Sequence, residues 1–91
     1  MNAEDLDYAR ENILRLCRAA NRVGLTAAQI ARGLQRAAFA VDERETDAQL
    51  HHLEKAGLIG EIEGAALTPA LRRYTTTAAG DQELERRGLL S

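Results

Sequence analysis

The sequence predicts a mainly α-helical fold with a small β-hairpin, in the order helix, helix, helix, strand, strand, helix. Hydrophobic residues make up 45% of the chain but aromatic residues only 3%, so the core must be built from Leu, Ile, Val and Ala. These side chains suit close helix packing better than a β-sandwich, whose strands favour β-branched and aromatic residues. Apolar residues also recur at three- and four-residue steps, the period of an amphipathic helix. A length of 91 residues predicts one small domain over residues 1–91.

The first helix is predicted over residues 5–23. Asn2 can cap its start, and Gly24 is a typical residue at which a helix ends. Leu14 lies about 100° from the centre of the apolar stripe, so it either widens the core face or contacts a partner molecule. The stripe itself consists of Leu6, Ala9, Ile13, Leu16, Cys17 and Ala20.

A capping box predicts the second helix, over residues 27–38. Thr26 stands at the cap position and Gln29 follows three residues later, so each side chain can bond the other residue's backbone N–H. Gly33 lies inside this helix, where glycine is up to about 1 kcal/mol less favourable than alanine. Close packing against another helix is the interpretation we favour for this glycine.

Another capping box, Asp42 with Glu45, predicts the third helix, which runs through Leu50 and Leu53 to residue 56. Gly57 then ends it, and two aliphatic residues follow at once. A glycine stop followed by apolar residues is typical of a junction between a helix and a strand.

The hydrophobic period changes after the third helix. Residues 61–63 alternate polar, apolar and polar, and residues 72–76 are rich in strand formers, so the two segments predict a β-hairpin with its tip near Thr68-Pro69. Tyr74 is the expected inward residue. Thr77 can cap a last helix over residues 78–87, which carries Leu84 inward and stops at Gly88.

Composition and charge exclude several classes of protein. One cysteine cannot staple a secreted scaffold, no apolar run reaches the roughly 20 residues of a membrane span, and the acidic start is unlike a signal peptide. We therefore expect a cytoplasmic protein. Twelve Lys and Arg against fourteen Asp and Glu give a net charge of −2, which counts against nucleic-acid binding through the whole surface. Any basic surface must be assembled in three dimensions.

Two motifs resemble the winged helix-turn-helix family. Residues Leu50 to Ile59 look like the "LxxLexxGLI" passage from a recognition helix into the first wing strand. Residues Tyr74 to Gly80 look like the "YxLTxxG" that leads from the last wing strand into the closing helix, with Thr76 where the family usually has Leu. The resemblance covers about residues 8–87. In its compact form, the chain is similar to small winged-helix proteins of Mu-like phages and prophages. It implies a fold that mostly binds DNA and in some members binds only proteins.

The outward face of the third helix is the first candidate site. With the buried face on Leu50 and Leu53, a step of about 100° per residue turns a basic or neutral stripe to solvent. That stripe carries Arg44, Ala48, His52 and Lys55, with His51 on its flank. Arginine can address guanine edges or phosphates, and His and Gln49 can hydrogen-bond bases. The same pattern is also compatible with an ordinary solvated helix face or with a protein partner.

Four more arginines are candidate phosphate ligands. Arg72 and Arg73 lie on a predicted wing strand with side chains on opposite faces, so one could reach DNA while the other covers the body. Charge protection of an edge strand is the alternative. Arg32 and Arg36 share one face of the second helix, which in this architecture crosses the DNA backbone. Solvent-facing arginine on an Ala-rich helix is the alternative there.

Enzymatic and metal sites are not expected. Adjacent His51 and His52 point about 100° apart and cannot chelate one ion together. Cys17 lies on the apolar stripe, where a free cysteine behaves as a small hydrophobic residue. The spacing of the glycines does not match a phosphate-binding loop. We therefore expect no catalytic residue, no metal and no cofactor.

The sequence thus supports the hypothesis of a small DNA-binding regulator, with the third helix in the major groove of double-stranded DNA and the wing on the backbone. The alternative is a winged helix used only for protein interaction. Because one module meets few bases, we also expect a homodimer. Leu14 of the first helix and the apolar tail Leu89-Leu90 are the candidate interface.

Overall fold

The computed structural model describes residues 2–20, 23–62 and 71–89. Within them the chain forms four α-helices and a three-stranded antiparallel sheet, as expected for a mainly helical fold with paired strands late in the chain. The elements are α1 (Ala3–Ala20), β1 (Leu25–Thr26), α2 (Ala27–Arg36), α3 (Glu43–Lys55), β2 (Ile59–Glu61), β3 (Arg73–Thr76) and α4 (Ala78–Arg86).

Helix α1 begins at the predicted cap. The Asn2 side chain accepts a hydrogen bond from the Asp5 N–H at 2.8 Å, which satisfies a donor that the first helical turn leaves free. The described part of α1 runs to Ala20, and Val23, the last residue of the predicted helix, lies in a turn. Leu14 is only 2% exposed and joins the core cluster, so it widens the core face and offers no contact surface.

Helix α2 has the complete capping box that the sequence predicted. The Thr26 hydroxyl accepts from the Gln29 N–H at 3.3 Å, and the Gln29 side chain accepts from the Thr26 N–H at 2.9 Å. Gly33 packs against α1, because a Cβ at this position would lie 2.8 Å from Leu16 Cδ1. The helix ends at Arg36, two residues before the predicted end.

Helix α3 starts at Asp42 and turns the predicted face inward. The Asp42 side chain accepts from the Glu45 N–H at 2.8 Å. Thr46, Leu50 and Leu53 are buried, and the buried Thr46 hydroxyl donates to the Asp42 carbonyl at 2.9 Å. The helix therefore buries the predicted face, and its opposite face is exposed to solvent.

The sheet has the strand order β1–β3–β2, with both pairs antiparallel. The pairing of β2 with β3 confirms the two predicted strands, although β2 occupies Ile59–Glu61 rather than 61–63. Tyr74 is partly buried and packs against the core. Strand β1 was not predicted, because two residues are too few to show an alternating pattern. The predicted hairpin tip at Thr68-Pro69 lies outside the described residues.

One junction joins the end of α3, the start of β2 and the start of α4. The Thr77 hydroxyl donates to the Gly57 carbonyl at 2.6 Å and accepts from the Gly80 N–H at 3.1 Å. The Thr77 N–H donates to the Leu58 carbonyl at 3.1 Å. A Cβ on Gly80 would overlap that same Leu58 carbonyl oxygen, so this close approach requires glycine.

Helix α4 is held against α1 by ion pairs and by core contacts. Arg18 on α1 contacts Asp81 at 3.2 Å, and Asp81 also accepts from the Thr76 hydroxyl at 2.7 Å. Arg87, just after α4, contacts Asp7 at 3.4 Å and Glu11 at 3.5 Å. Leu84 of α4 is fully buried and belongs to the core cluster.

The C-terminal tail has a place in this core. Leu89 is partly buried and packs against the cluster, and its N–H donates to the Leu84 carbonyl at 2.9 Å. Leu90 lies outside the described residues. Leu14 is buried inside one chain and is therefore not available as a dimer interface, whereas a dimer that uses the partly buried tail stays a prediction.

Replacing Gly80 with alanine should destabilise the protein although alanine is the better helix former. Helix propensity alone favours alanine by about 1 kcal/mol, whereas the added Cβ must displace the Leu58 carbonyl, at a cost of about 1–3 kcal/mol. Urea unfolding of Gly80→Ala measures the balance. Gly60→Ala is the control, because Gly60 has no positive φ and its added Cβ would meet Thr77 Cγ2 at an ordinary van der Waals distance of 3.6 Å. A Gly80→Ala variant more stable than the parent protein would contradict the close approach.

Leu53→Ala should cost about 2–5 kcal/mol, the loss expected when a buried leucine leaves a cavity. Leu53 is 2% exposed, whereas Leu71 is 60% exposed, so Leu71→Ala is a matched control that should change stability by less than about 0.5 kcal/mol. Equal melting temperatures for the two variants would show that α3 is wrongly phased.

Candidate nucleic-acid interface

Apart from Arg10, which is partly buried and donates to Gln49, the Lys and Arg side chains of the described residues fall into two groups. The first group is neutralised by acidic side chains within 4 Å, and most of its members lie on the seam between α1 and α4. This group comprises Arg18, Arg72, Arg86 and Arg87. The second group is exposed and, within the described part of the chain, makes no ion pair. It comprises Arg15, Arg32, Arg36, Arg44, Lys55 and Arg73, of which Arg73 donates to a backbone carbonyl.

The predicted outward stripe of α3 is solvent-exposed along its whole length. Its four members, Arg44, Ala48, His52 and Lys55, are all exposed, and so is His51 on its flank. Arg44 lies in the first turn and Lys55 is the last residue of the helix, so the stripe spans about 16 Å at 1.5 Å per residue. Neither cation of the stripe is occupied by an acidic partner among the described residues. The face is therefore free to meet an anionic ligand.

Gln49 is not on this free face. Its Oε1 accepts a hydrogen bond from Arg10 Nε at 2.7 Å, in a partly buried contact between α1 and α3. The amide oxygen is thus used inside the protein, and Gln49 is held toward α1. No feature of the sequence indicates this pairing, because Arg10 and Gln49 lie on elements 39 residues apart.

Arg32 and Arg36 project from α2, away from its buried residues. Both are exposed, and they stand on the face opposite Ile30 and Leu34, which are buried. Because α2 packs against α3, this free positive charge lies on the element adjacent to the outward stripe. Arg15 of α1 is a further exposed cation that the sequence did not single out.

Arg72, which precedes β3, and Arg73, the first residue of β3, contact different neighbours. Arg72 Nε lies 3.6 Å from Glu61 Oε1, and Arg73 Nη1 donates to the Val23 carbonyl at 3.5 Å. Burial, and secondarily the negative charge of Glu54, raise the pKa of nearby Tyr74. Glu54 and Glu61 therefore make this side of the sheet less positive than the sequence suggested.

Acidic side chains also border the stripe on α3 itself. Glu43, Glu45 and Asp47 are exposed, and the first two lie in the first turn, where the helix dipole stabilises them. They lower the positive potential around Arg44. The interface is thus a narrow set of free cations between acidic flanks, not a uniformly basic surface.

Three other properties of the described residues concern the Cys17 thiol, possible metal ligands and the length and polarity of the helices. Burial raises the pKa of the Cys17 thiol from its ordinary value of 9.0 to about 12, so a reactive thiolate is not formed at neutral pH. Among the described residues, no group of three or more His, Cys, Asp or Glu side chains could hold a metal ion. In the same ranges, every helix is too short or too polar to cross a membrane.

Comparison with known proteins gives no match to any family model, curated protein or solved structure.

The stability of the protein should fall above pH 9 through Cys17. The unfolded thiol ionises near 9 while the folded thiol stays protonated to about 12, so the free energy of unfolding decreases by at most about 1.4 kcal/mol per pH unit in this window. Urea unfolding of the parent protein and of Cys17→Ala between pH 8 and 11 isolates this contribution, since all other groups are common to both. A stability difference that does not change with pH would contradict the buried thiol.

Proposed function

We propose that the protein is a winged-helix DNA-binding protein, a small regulator, that presents α3 to the major groove. The observation that carries the proposal is the division of its cations. Those on α4 and on the side of α1 that faces it are neutralised by acids, whereas Arg32, Arg36, Arg44 and Lys55 on α2 and α3 are exposed without an ion pair in the described residues. Phosphates can contact these four cations without first breaking an intramolecular ion pair.

The order of elements supports the same proposal. A short link joins α2 to α3, and two antiparallel strands follow α3 at once. This is the order found in a winged helix-turn-helix domain, in which the second helix of the pair enters the major groove. The core fixes Thr46, Leu50 and Leu53 inward, so the opposite face of α3 is the one offered to a groove.

The free cations take two roles in this proposal, contact with base edges and contact with phosphates. Arg44 lies at the N-terminal end of α3, the end that contacts base edges in helix-turn-helix proteins. Arg32 and Arg36 on α2 meet phosphates, and Lys55 at the far end of α3 does the same. His51 and His52 are exposed and free to hydrogen-bond bases or phosphates.

The wing contributes less in this arrangement than α2 does. Arg72 must exchange its 3.6 Å contact with Glu61 for a phosphate. Arg73 must leave the Val23 carbonyl. Phosphate contact by the wing therefore stays a prediction for whichever of the two side chains is released.

A protein-interaction module is the second candidate function. The net charge of −2 and the exposed acids Glu43, Glu45 and Asp47 beside the stripe favour a partner that carries both signs of charge. Such a partner would bind the same face of α3. Binding to it would not require the strong salt dependence that phosphate contacts impose.

Salt-dependent binding to duplex DNA tests the proposal. With three or four phosphate contacts, the affinity for random duplex should fall roughly 40- to 150-fold between 50 and 200 mM salt, from a slope of about −0.9 per phosphate. Fluorescence anisotropy of a labelled duplex measures the affinity at each salt concentration. If micromolar protein does not bind the duplex at 50 mM salt, or binds it equally well at 200 mM salt, only the protein-interaction module remains as a candidate function.

Arg44→Ala should weaken DNA binding by roughly 5- to 150-fold while leaving stability nearly unchanged, since one base or phosphate contact is worth about 1–3 kcal/mol. Arg86→Ala is the charge-matched control: Arg86 is exposed on α4 and pairs with Glu83, so its loss should change the affinity less than twofold. Equal effects of the two variants would mean that only net charge matters and would remove Arg44 from the site.

A further inference from the structure

We propose that α3 selects a guanine and a thymine that lie within about two base pairs of each other, with Arg44 on the guanine and the Ala48 methyl group on the thymine. This inference rests on the proposed DNA binding and adds its sequence preference. Arg44 and Ala48 are four residues apart on α3, both exposed and on the same face. One helical turn separates them by about 6 Å along the axis, close to two base-pair steps of about 3.4 Å.

Arg44 presents donors only, which decides the base that it fits. A guanidinium has five N–H donors in a fixed fork and no acceptor. In the major groove guanine offers two adjacent acceptors, N7 and O6, whereas adenine offers one acceptor beside one donor. Because Arg44 makes no ion pair within the described residues and is exposed, its fork is free to take both guanine atoms.

Ala48 is the apolar position of the stripe and the smallest one. Thymine is the only one of the four bases that places a methyl group in the major groove. The longer side chains around Ala48, those of Arg44, His51, His52 and Lys55, are polar and leave this methyl group as the apolar contact at the centre of the face. A short side chain also allows the helix backbone to approach the groove floor.

The Arg10–Gln49 contact argues against adenine as a preferred base. Glutamine recognises adenine by accepting from N6 and donating to N7 at the same time. The Oε1 atom of Gln49 already accepts from Arg10 Nε at 2.7 Å, so this bidentate pair cannot form without breaking the contact between α1 and α3. The glutamine of α3 is thereby withdrawn from base recognition, and Arg44 and Ala48 remain as the residues of defined base preference.

Selection of bound duplexes from a randomised pool, followed by base-analogue substitution in the selected duplex, tests this inference. The selected sites should share a guanine and a thymine within two base pairs. Replacing the thymine with uracil removes only the methyl group and should weaken binding of the parent protein about fourfold, the effect of one buried methyl group. Replacing the guanine with 7-deazaguanine removes one of two acceptors and should weaken binding about tenfold.

The matched variants assign each effect to its residue. Ala48→Gly should bind the thymine and uracil duplexes equally, and Arg44→Ala should bind the guanine and 7-deazaguanine duplexes equally. The parent protein alone suffices for the analogue measurements, so a variant that folds poorly does not prevent the test.

Three outcomes would overturn the inference. Salt-sensitive binding without a shared guanine and thymine, or with no effect of either analogue, would overturn the preference and leave the proposed function standing. Analogue effects that persist in the variants would overturn the assignment to Arg44 and Ala48. The absence of salt-sensitive binding to any duplex would overturn the proposed function together with this inference.

Discussion

A single hydroxyl group, that of Thr77, holds together the part of the fold on which α3 depends. It donates to the Gly57 carbonyl and accepts from the Gly80 N–H, while the Thr77 backbone bonds the next carbonyl, that of Leu58. The end of α3, the start of β2 and the start of α4 therefore meet at one point, and Gly80 allows the backbones to approach closely enough. Because β2 pairs with β3 and β3 with β1, the same point fixes the end of α3 to the sheet. The orientation of the outward stripe follows from this junction and from the buried Thr46, Leu50 and Leu53.

The separation of charge is a consequence of how α4 is docked. Asp7, Glu11 and Asp81 bind arginines across the seam with α1, and arginine hydrogen bonds lower the pKa of Glu83, first from Arg86 and then from Arg87. Several of the acidic residues that make the net charge negative therefore form intramolecular ion pairs. The cations of α2 and α3 keep their charge available. Net charge therefore describes this protein poorly, and the distribution of its ion pairs is more informative.

Local signals in the sequence were sufficient to predict the helices. Asn2, Thr26, Asp42 and Thr77 cap four helices because each side chain bonds a backbone N–H within three residues, an interaction that sequence spacing displays directly. Contacts between elements that are far apart in the chain have no comparable signal in the sequence. Strand β1 depends on pairing with β3, Gln49 depends on Arg10, and Arg72 depends on Glu61. The phase of α3 could be predicted, whereas the withdrawal of Gln49 and the neutralisation of Arg72 could not, since both depend on residues that only tertiary structure brings together.

Amide chemical shifts can show whether the free cations of α2 and α3 form the proposed DNA-binding surface. Two-dimensional ¹H–¹⁵N spectra recorded during titration with a short random duplex at low salt report which backbone positions meet the ligand. The proposed surface requires shifts concentrated on α2 and on the outward stripe of α3, reversed by added salt, with the seam between α1 and α4 unaffected. Shifts centred on that seam, or spectra unchanged at micromolar to millimolar duplex, would contradict it.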